Sequence, residues 1–191
     1  MIVLPEDDFL SIEYEFEGER LRTLPDLLGP GVRLLFVGFN PSLRAARLGR
    51  YYAGRNNRFW DLLAGSGLTP GRWRHEQDGG LLELGIGVTD LVKRPTRSAA
   101  EVTAEEFRRG AERFRALLRE LRPRVVCYNG KGVYLRAAGV PSAPWGRQER
   151  PLVEGTTDFV APSPSGLARI PFAEKLRWYV ELRNLVEATD G

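Results

Sequence analysis

The hydrophobic pattern of the chain centres on one short run. Val32, Leu34, Leu35, Phe36 and Val37 are nearly continuous and stop at Gly38. A run this short, rich in β-branched and aromatic residues and closed by glycine, predicts a strand buried on both faces of a parallel sheet. Three further strands are expected near Gly87 to Thr89, from Arg124 to Tyr128 and from Thr156 to Ala161. Between them the apolar positions change to a helical period. Phe107, Ala111, Phe114, Leu117, Leu118 and Leu121 line one face of a helix that opens at a Thr103–Glu106 capping box and ends before Pro123. Asn57 to Leu63 reads as a helix with Phe59, Leu62 and Leu63 inward. Another follows the Asn129–Gly132 turn through about Ala138, and the last opens at Pro171 and runs to about Val186. Strands alternating with helices give an α/β fold, a three-layer sandwich with a short, mostly parallel central sheet flanked by helices.

The remaining segments are less regular. Ser11, Glu13, Glu15 and Glu17 alternate with Ile12, Tyr14 and Phe16, which fits either an edge strand with one acidic face or a loose arm. Thr23-Leu24-Pro25-Asp26 resembles an N-cap followed by a short helix ending near Gly29. Leu43 to Asn56 is polar and punctuated by glycine, a loop or short helix over the end of the central strand. Residues 65 to 80 read as loop. With no repeat, low-complexity segment or dividing linker, residues 1–191 are expected to form a single domain, with 1–20 as its acidic strand or arm.

Composition narrows the chemistry. The single cysteine, Cys127, lies inside an apolar run, so a disulfide framework, an iron–sulfur cluster and a cysteine-based zinc site within one chain are excluded. The single histidine, His75, sits beside Trp73 in a polar stretch and reads as a surface residue, which leaves no Ser/His or Cys/His constellation. No apolar run approaches membrane-spanning length and no hydrophobic stretch follows a basic N-terminus. A soluble protein without signal peptide or membrane anchor is expected. The net charge is only +3, but it is unevenly spread. Residues 1–19 hold seven acids and no base, whereas Gly31 to Trp60 carry Arg33, Arg44, Arg47, Arg50, Arg55 and Arg58 with no acid. The arginines fit two readings equally, a solvated face or a phosphate-binding surface.

Four loops follow candidate strands: Gly38 to Ser42, Asp90 to Thr96, Asn129 to Gly132 and Pro162 to Arg169. In a parallel sheet all four share the carboxyl edge, where ligands bind in open α/β folds. None is a phosphate cradle. Asn129-Gly130-Lys131 lacks the upstream glycine of a P-loop, and no G-x-G-x-x-G opens a helix. Asn40, a neutral amide between a glycine and a proline where the central strand ends, is the first candidate functional residue.

Taken in order, these residues resemble a known family. Gly38-Phe-Asn-Pro-Ser42, then Leu43, Ala45-Ala46, Gly49, Tyr51-Tyr52 and Asn57-Arg-Phe-Trp60 are similar to the first motif of the mismatch-specific uracil/thymine-DNA glycosylases of the uracil-DNA glycosylase superfamily. Arg22-Thr-Leu-Pro-Asp-Leu-Leu28 is similar to the segment before that motif. Gly85-Ile-Gly-Val-Thr-Asp-Leu-Val92, Arg94-x-Thr96, Glu106-Phe-Arg-x-Gly110 and Asn129-Gly-Lys131 follow in family order, and Pro162-Ser-Pro-Ser-Gly-Leu-x-Arg169 resembles the second motif. The resemblance spans about Arg22 to Leu185.

It implies a monofunctional glycosylase that flips a uracil out of duplex DNA, where a mismatch lowers the cost, and excises it by water attack on the sugar C1′. Asn40 would hold the water. An amide is no base, but an oxocarbenium-like transition state asks little of its nucleophile. Gly38, Phe39, Ser42, Tyr52 and Ser163 would bind the base, with backbone groups around Phe39 and Ser42 reading its edge and the Tyr52 ring stacking on it. Tyr52 also fits a plain core tyrosine. Arg55, Arg58, Lys131, Gly166, Leu167 and Arg169 would contact DNA, with Leu167 as an apolar wedge and Arg169 against a phosphate or the opposite strand. Leu167 also fits ordinary loop packing, and Lys131 a structural lysine. Ala45 would leave room at the C5 edge for thymine or 5-substituted uracils. The resemblance implies no cofactor and no metal. It implies a monomer whose partner is double-stranded DNA with a mismatched or damaged pyrimidine, in a bacterial cytoplasm or a eukaryotic nucleus.

Asp90 departs from the family, which often has Asn or Lys there. Three readings stay open: a general base for the water, an acceptor for the N3–H of uracil, or a structural partner of Lys93 or Arg94. Two alternative functions also stand beside the first. A broader uracil-DNA glycosylase branch is disfavoured by Asn40-Pro41-Ser42 in place of Asp-Pro-Tyr and by the lack of histidine in 162–169. A catalytically weak damage-binding module is disfavoured by Asn40 itself.

Overall fold

The computed structural model describes residues 13–189. In chain order the elements are β1 (Glu13–Phe16), β2 (Glu19–Arg22), β3 (Leu34–Gly38), α1 (Leu43–Leu48), α2 (Phe59–Ser66), β4 (Ile86–Asp90), α3 (Ala104–Leu121), β5 (Val125–Asn129), α4 (Lys131–Ala138), β6 (Gly146–Arg147), β7 (Thr157–Ala161) and α5 (Phe172–Thr189). A five-stranded sheet runs β4-β3-β5-β7-β6. Its first four strands are parallel and the two-residue β6 is antiparallel to β7.

The apolar run at the centre of the sequence is β3, flanked by β4 and β5 and buried at all five positions. The period of two then sorts its side chains into two layers. Leu34 and Phe36 join Phe59, Leu62 and Leu63 of α2 and Tyr179 and Leu182 of α5. Leu35 and Val37 join Phe107, Phe114 and Leu118 of α3 and Val133 of α4. The result is the expected sandwich, mixed α/β with helices on both faces of a mostly parallel sheet. The helix α3 begins at the expected cap. Thr103 Oγ1 accepts from the Glu106 N–H at 3.2 Å, and the Glu106 carboxylate accepts from the Thr103 N–H at 2.8 Å. Gly110 lets α3 press on the loop after β4: a Cβ there would stand 2.3 Å from the Leu91 carbonyl oxygen.

Three local expectations change. The short helix over Thr23 to Gly29 is absent. That segment is extended, and Leu27 exchanges two 2.9 Å backbone hydrogen bonds with Val88 on the outer strand β4. Thr23 caps nothing; its hydroxyl donates to the Lys93 carbonyl at 2.7 Å. The unpaired edge of β4 and a buried partner set for Asp26 outweigh one turn of helix. The alternating segment is β1 from Glu13 onward, but it pairs with β2 in a separate two-stranded sheet, where Glu13 ion-pairs with Arg20 and Arg22. Ser11 and Ile12 lie outside the described residues. Within 65–80, read as loop, a 3₁₀ helix begins at His75 and continues to Leu84. The short strand β6 had no pattern to announce it.

Candidate active site

The loops after β3 and β4 are laced together beyond the ends of their strands. The Gly38 carbonyl accepts from Leu91 N–H at 2.9 Å, that of Phe39 from Val92 at 3.0 Å and that of Pro41 from Thr96 at 3.1 Å. Ser42 and Thr96 form a further bridge. Asn40 lies inside this lacing. Its Nδ2 donates to the Arg94 carbonyl at 2.8 Å and to Thr96 Oγ1 at 2.7 Å. Thr96 spends its only hydroxyl proton on the Ser98 carbonyl, at 2.8 Å, so it must accept from Asn40. That fixes the amide: Nδ2 faces the loop and the acceptor Oδ1 is turned away from it.

Asp90 ends β4 directly opposite Gly38 in the sheet register. The residue is 6% exposed. A Cβ on Gly38 would stand 2.1 Å from Asp90 Oδ1, so only glycine admits this carboxylate. No donor among the described residues hydrogen-bonds to it. Burial pushes its pKa up to about 7, opposed by the charge of Lys93. The structural reading of Asp90 is not supported. Lys93 lies against Asp26, and Arg94 binds Glu106 through two contacts of 2.5 and 3.0 Å.

Tyr52 is half-buried and adopts a left-handed backbone, φ 52°. Its ring stacks on Phe59 at 3.6 Å between centroids, with the Tyr51 ring tilted against it at 6.2 Å. Its hydroxyl accepts from Asn129 Nδ2 at 2.7 Å, and Asn129 Oδ1 accepts from Tyr179 at 2.8 Å. Burial first, then the Asp90 charge, keep the Tyr52 phenol well above its ordinary range. The Phe39 side chain packs edge-on to Phe107 at 5.0 Å and close to Gly132, where a Cβ would stand 3.0 Å from its ring. The Ser42 hydroxyl caps α1, accepting from Ala45 N–H at 3.2 Å. Ala45 is buried in the layer of Tyr51 and Phe59.

The second-motif loop lies against the Arg55–Arg58 segment. Arg58 N–H donates to the Pro164 carbonyl at 2.8 Å, and a Cβ on Gly166 would meet the Asn56 Cβ at 2.6 Å. Ser163 Oγ accepts from Ser165 N–H at 3.3 Å, within the loop. Leu167 is 87% exposed, so it is not packed as an ordinary loop leucine. Arg55, Arg58 and Arg169 are exposed around it. Lys131 sits 4.6 Å over the Trp145 ring.

The six-arginine strip is not one surface. Arg47 pairs with Glu19 and Arg50 with Asp78. Arg44 donates to the Ala53 carbonyl at 2.8 Å, and Arg33 precedes β3 at the opposite end of the sheet. Only Arg55 and Arg58 border the wedge loop.

The sequence did not point to Thr96 as the group that orients Asn40, nor to Asn129 beneath Tyr52. It also did not point to Lys175, 3% exposed, whose ammonium donates to the Ser165 carbonyl at 3.0 Å. Asp26, Lys93 and Arg113 form a buried charged cluster under the site. The motif Leu-Pro-Asp marked Asp26 only by resemblance, since a buried ion pair has no periodicity.

An oriented amide and a secluded carboxylate at the carboxyl edge of an α/β sheet form a site of hydrolytic type. The family model of the uracil DNA glycosylase superfamily matches residues 25–186. The chain belongs to that superfamily, and is thereby a DNA glycosylase, a hydrolase of N-glycosyl bonds. Its fold is also similar to the solution NMR structure of a candidate uracil DNA glycosylase from Methanosarcina acetivorans. That similarity has a TM-score of 0.58 and 23% identity, over 86% of this chain and 97% of that one.

Proposed function

We propose that this DNA glycosylase excises uracil from G mismatches in duplex DNA, acting as a monomer on a flipped nucleotide, with thymine and 5-substituted uracils as further substrates. The observation that carries the reading is the pair at the sheet edge: Asn40 with Oδ1 presented outward, and Asp90 buried without a donor. The C1′–N1 bond breaks and its electron pair leaves with the base. Water held by Asn40 Oδ1 adds its oxygen to C1′ and gives one proton to Asp90, while the departing base anion takes a proton from solvent. Since the transition state is largely dissociative, stabilising the leaving base matters as much as activating the water. Tyr52, held by its stack on Phe59, is assigned to stacking on the flipped base. Leu167, braced by the contact of Gly166 with Asn56, fills the gap, and Arg55, Arg58 and Arg169 meet phosphates. Lys131, already over Trp145, is assigned to positioning the loop after β5 rather than to a phosphate.

The test is excision from duplexes carrying U, T, hypoxanthine or a 5-substituted uracil opposite G and opposite A. Faster release of uracil opposite G than opposite A is expected. Equal rates would assign the chain to a broader branch, and binding without release would make it a damage-binding module.

A further inference from the structure

Two cations act on the Asp90 carboxylate through their charge, while their side-chain ion pairs go elsewhere. Lys93 lies three residues further along the same loop, and its ammonium contacts Oδ1 of Asp26. Arg113, on α3, places one guanidinium nitrogen 3.2 Å from Oδ2 of Asp26 and another 2.6 Å from the backbone oxygen of Asp90. The side chains of Lys93, Arg113 and Asp26 are 5%, 15% and 9% exposed, so water does little of the compensation. The charged and titratable groups that act on Asp90 are Lys93 from its own loop, Arg113 from α3 and Asp26 from the extended segment after β2. The phenols of Tyr51 and Tyr52, from the loop after α1, complete the set. Two cations thus face two carboxylates, yet both side-chain ion pairs go to the carboxylate that is not at the site. A buried cation deprived of its partner seeks the nearest anion, because an unpaired buried charge is costly. Asp26 stays ionised even though burial works against it, because the Lys93 and Arg113 charges outweigh that burial.

We propose that Asp26 is a positioning residue of the reaction: it holds Lys93 and Arg113 to itself, and so leaves the Asp90 carboxylate free of a cation and able to take a proton from water. The proposal rests on the reading of Asp90 as the base. A carboxylate clasped by an ammonium is a weaker base. Removing the Asp26 charge leaves two cations to act on Asp90 alone, whereas removing the Lys93 charge leaves one fewer. The two changes therefore move the proton affinity of Asp90 in opposite directions, which a merely structural role would not do.

The experiment is single-turnover excision from a G·U duplex between pH 5 and 10, with a thermal melt of each variant, for wild type, Asp26→Asn, Lys93→Gln, the double variant and Asp90→Asn. The acidic limb of the rate profile is expected to move down by about one pH unit in Asp26→Asn, up by about one in Lys93→Gln, and back near the wild type in the double variant. The double variant keeps the overall charge count, so with Lys93→Gln it decides the matter even if Asp26→Asn fails to fold. A limb that vanishes in Asp90→Asn but stays in place, or moves the same way, in the Asp26 and Lys93 variants overturns the role of Asp26 and leaves Asp90 as the base. A wild-type limb in Asp90→Asn overturns the base reading, and the role of Asp26 with it.

Discussion

Gly38 and Asp90 face each other across the β3–β4 register, and a Cβ on Gly38 would lie 2.1 Å from the Asp90 carboxylate oxygen. The glycine that ends the central strand is therefore needed for room as well as for the turn. Gly38→Ala is expected to fold, at a cost of about 1–3 kcal/mol from overpacking. It is also expected to push the carboxylate out of place and cut excision at least about tenfold, equivalent to about 1.4 kcal/mol of barrier. Affinity for the mismatched duplex should hold. Single-turnover rates and a gel-shift titration measure the two separately.

The Asp90 carboxyl, raised to about 7, makes stability depend on pH. In the unfolded chain an aspartate titrates near 4. Between those values the folded chain keeps a proton that the unfolded chain has released. The stabilisation is therefore complete below about pH 4 and lost as pH rises through about 7. Asp90→Asn, uncharged throughout, is expected to be more stable than the wild type at pH 8, by on the order of 1–3 kcal/mol, and equal to it near pH 4. Urea unfolding at the two pH values checks this. Asp158, also raised, to about 6, is present in both proteins and cancels. The same variant should lose most excision activity, so the site gives up stability for chemistry.

Thr96 orients the Asn40 amide because its own proton is committed to Ser98. Thr96→Val removes the acceptor and lets the amide turn. Excision is expected to fall about tenfold, with Thr96→Ser close to wild type, against a loss of about 10²–10³ for Asn40→Ala. Rates on a G·U duplex across the three variants test this order.

Leu167 is nearly bare, and its loop is tied down by Lys175 through the Ser165 carbonyl. Leu167→Ala should leave the melting temperature essentially unchanged, since surface truncations cost within about 0.5 kcal/mol. It should nevertheless slow excision from duplex DNA. Lys175→Met keeps the bulk and removes the tie, and is expected to give the same kinetic defect. Fluorescence of a 2-aminopurine placed beside the lesion reports the flipping step in both.

Arg55, Arg58 and Arg169 surround that loop, Arg58 being paired with Asp61 at 3.3 Å, while Arg47 and Arg50 are engaged by carboxylates elsewhere. Neutralising Arg55 or Arg169 is expected to reduce the slope of log affinity against log salt by about 1, and neutralising Arg47 to leave it unchanged. Titrations at several salt concentrations distinguish them.

The fold was legible wherever one local signal dominated. The unbroken run at Leu34–Val37 could only be a doubly covered strand, and the Thr103–Glu106 box fixed the start of α3 to the residue. The placement of Asn40 and Asp90 at one edge was legible because both stand at the ends of adjacent parallel strands. Thr23–Gly29 misled because Thr-x-Pro-Asp carries a helix-start signal locally, while its real partners, Val88, Lys93 and Arg113, are distant in the chain. The arginine strip misled for a similar reason, since charge density along the sequence does not tell which arginines already have a carboxylate. Nothing in a linear pattern marks Lys175 as buried, because its burial depends on a loop ten residues earlier.

The most direct test is uracil release from a G·U duplex and an A·U duplex, under single turnover at pH 8, by the wild type, Asn40→Ala and Asp90→Asn. The expected result is release by the wild type, faster from G·U, and strongly reduced release by both variants while each still binds the mismatched duplex. Absence of release by the wild type, or undiminished release by both variants, would contradict a water-handling pair of Asn40 and Asp90 at the edge of the sheet.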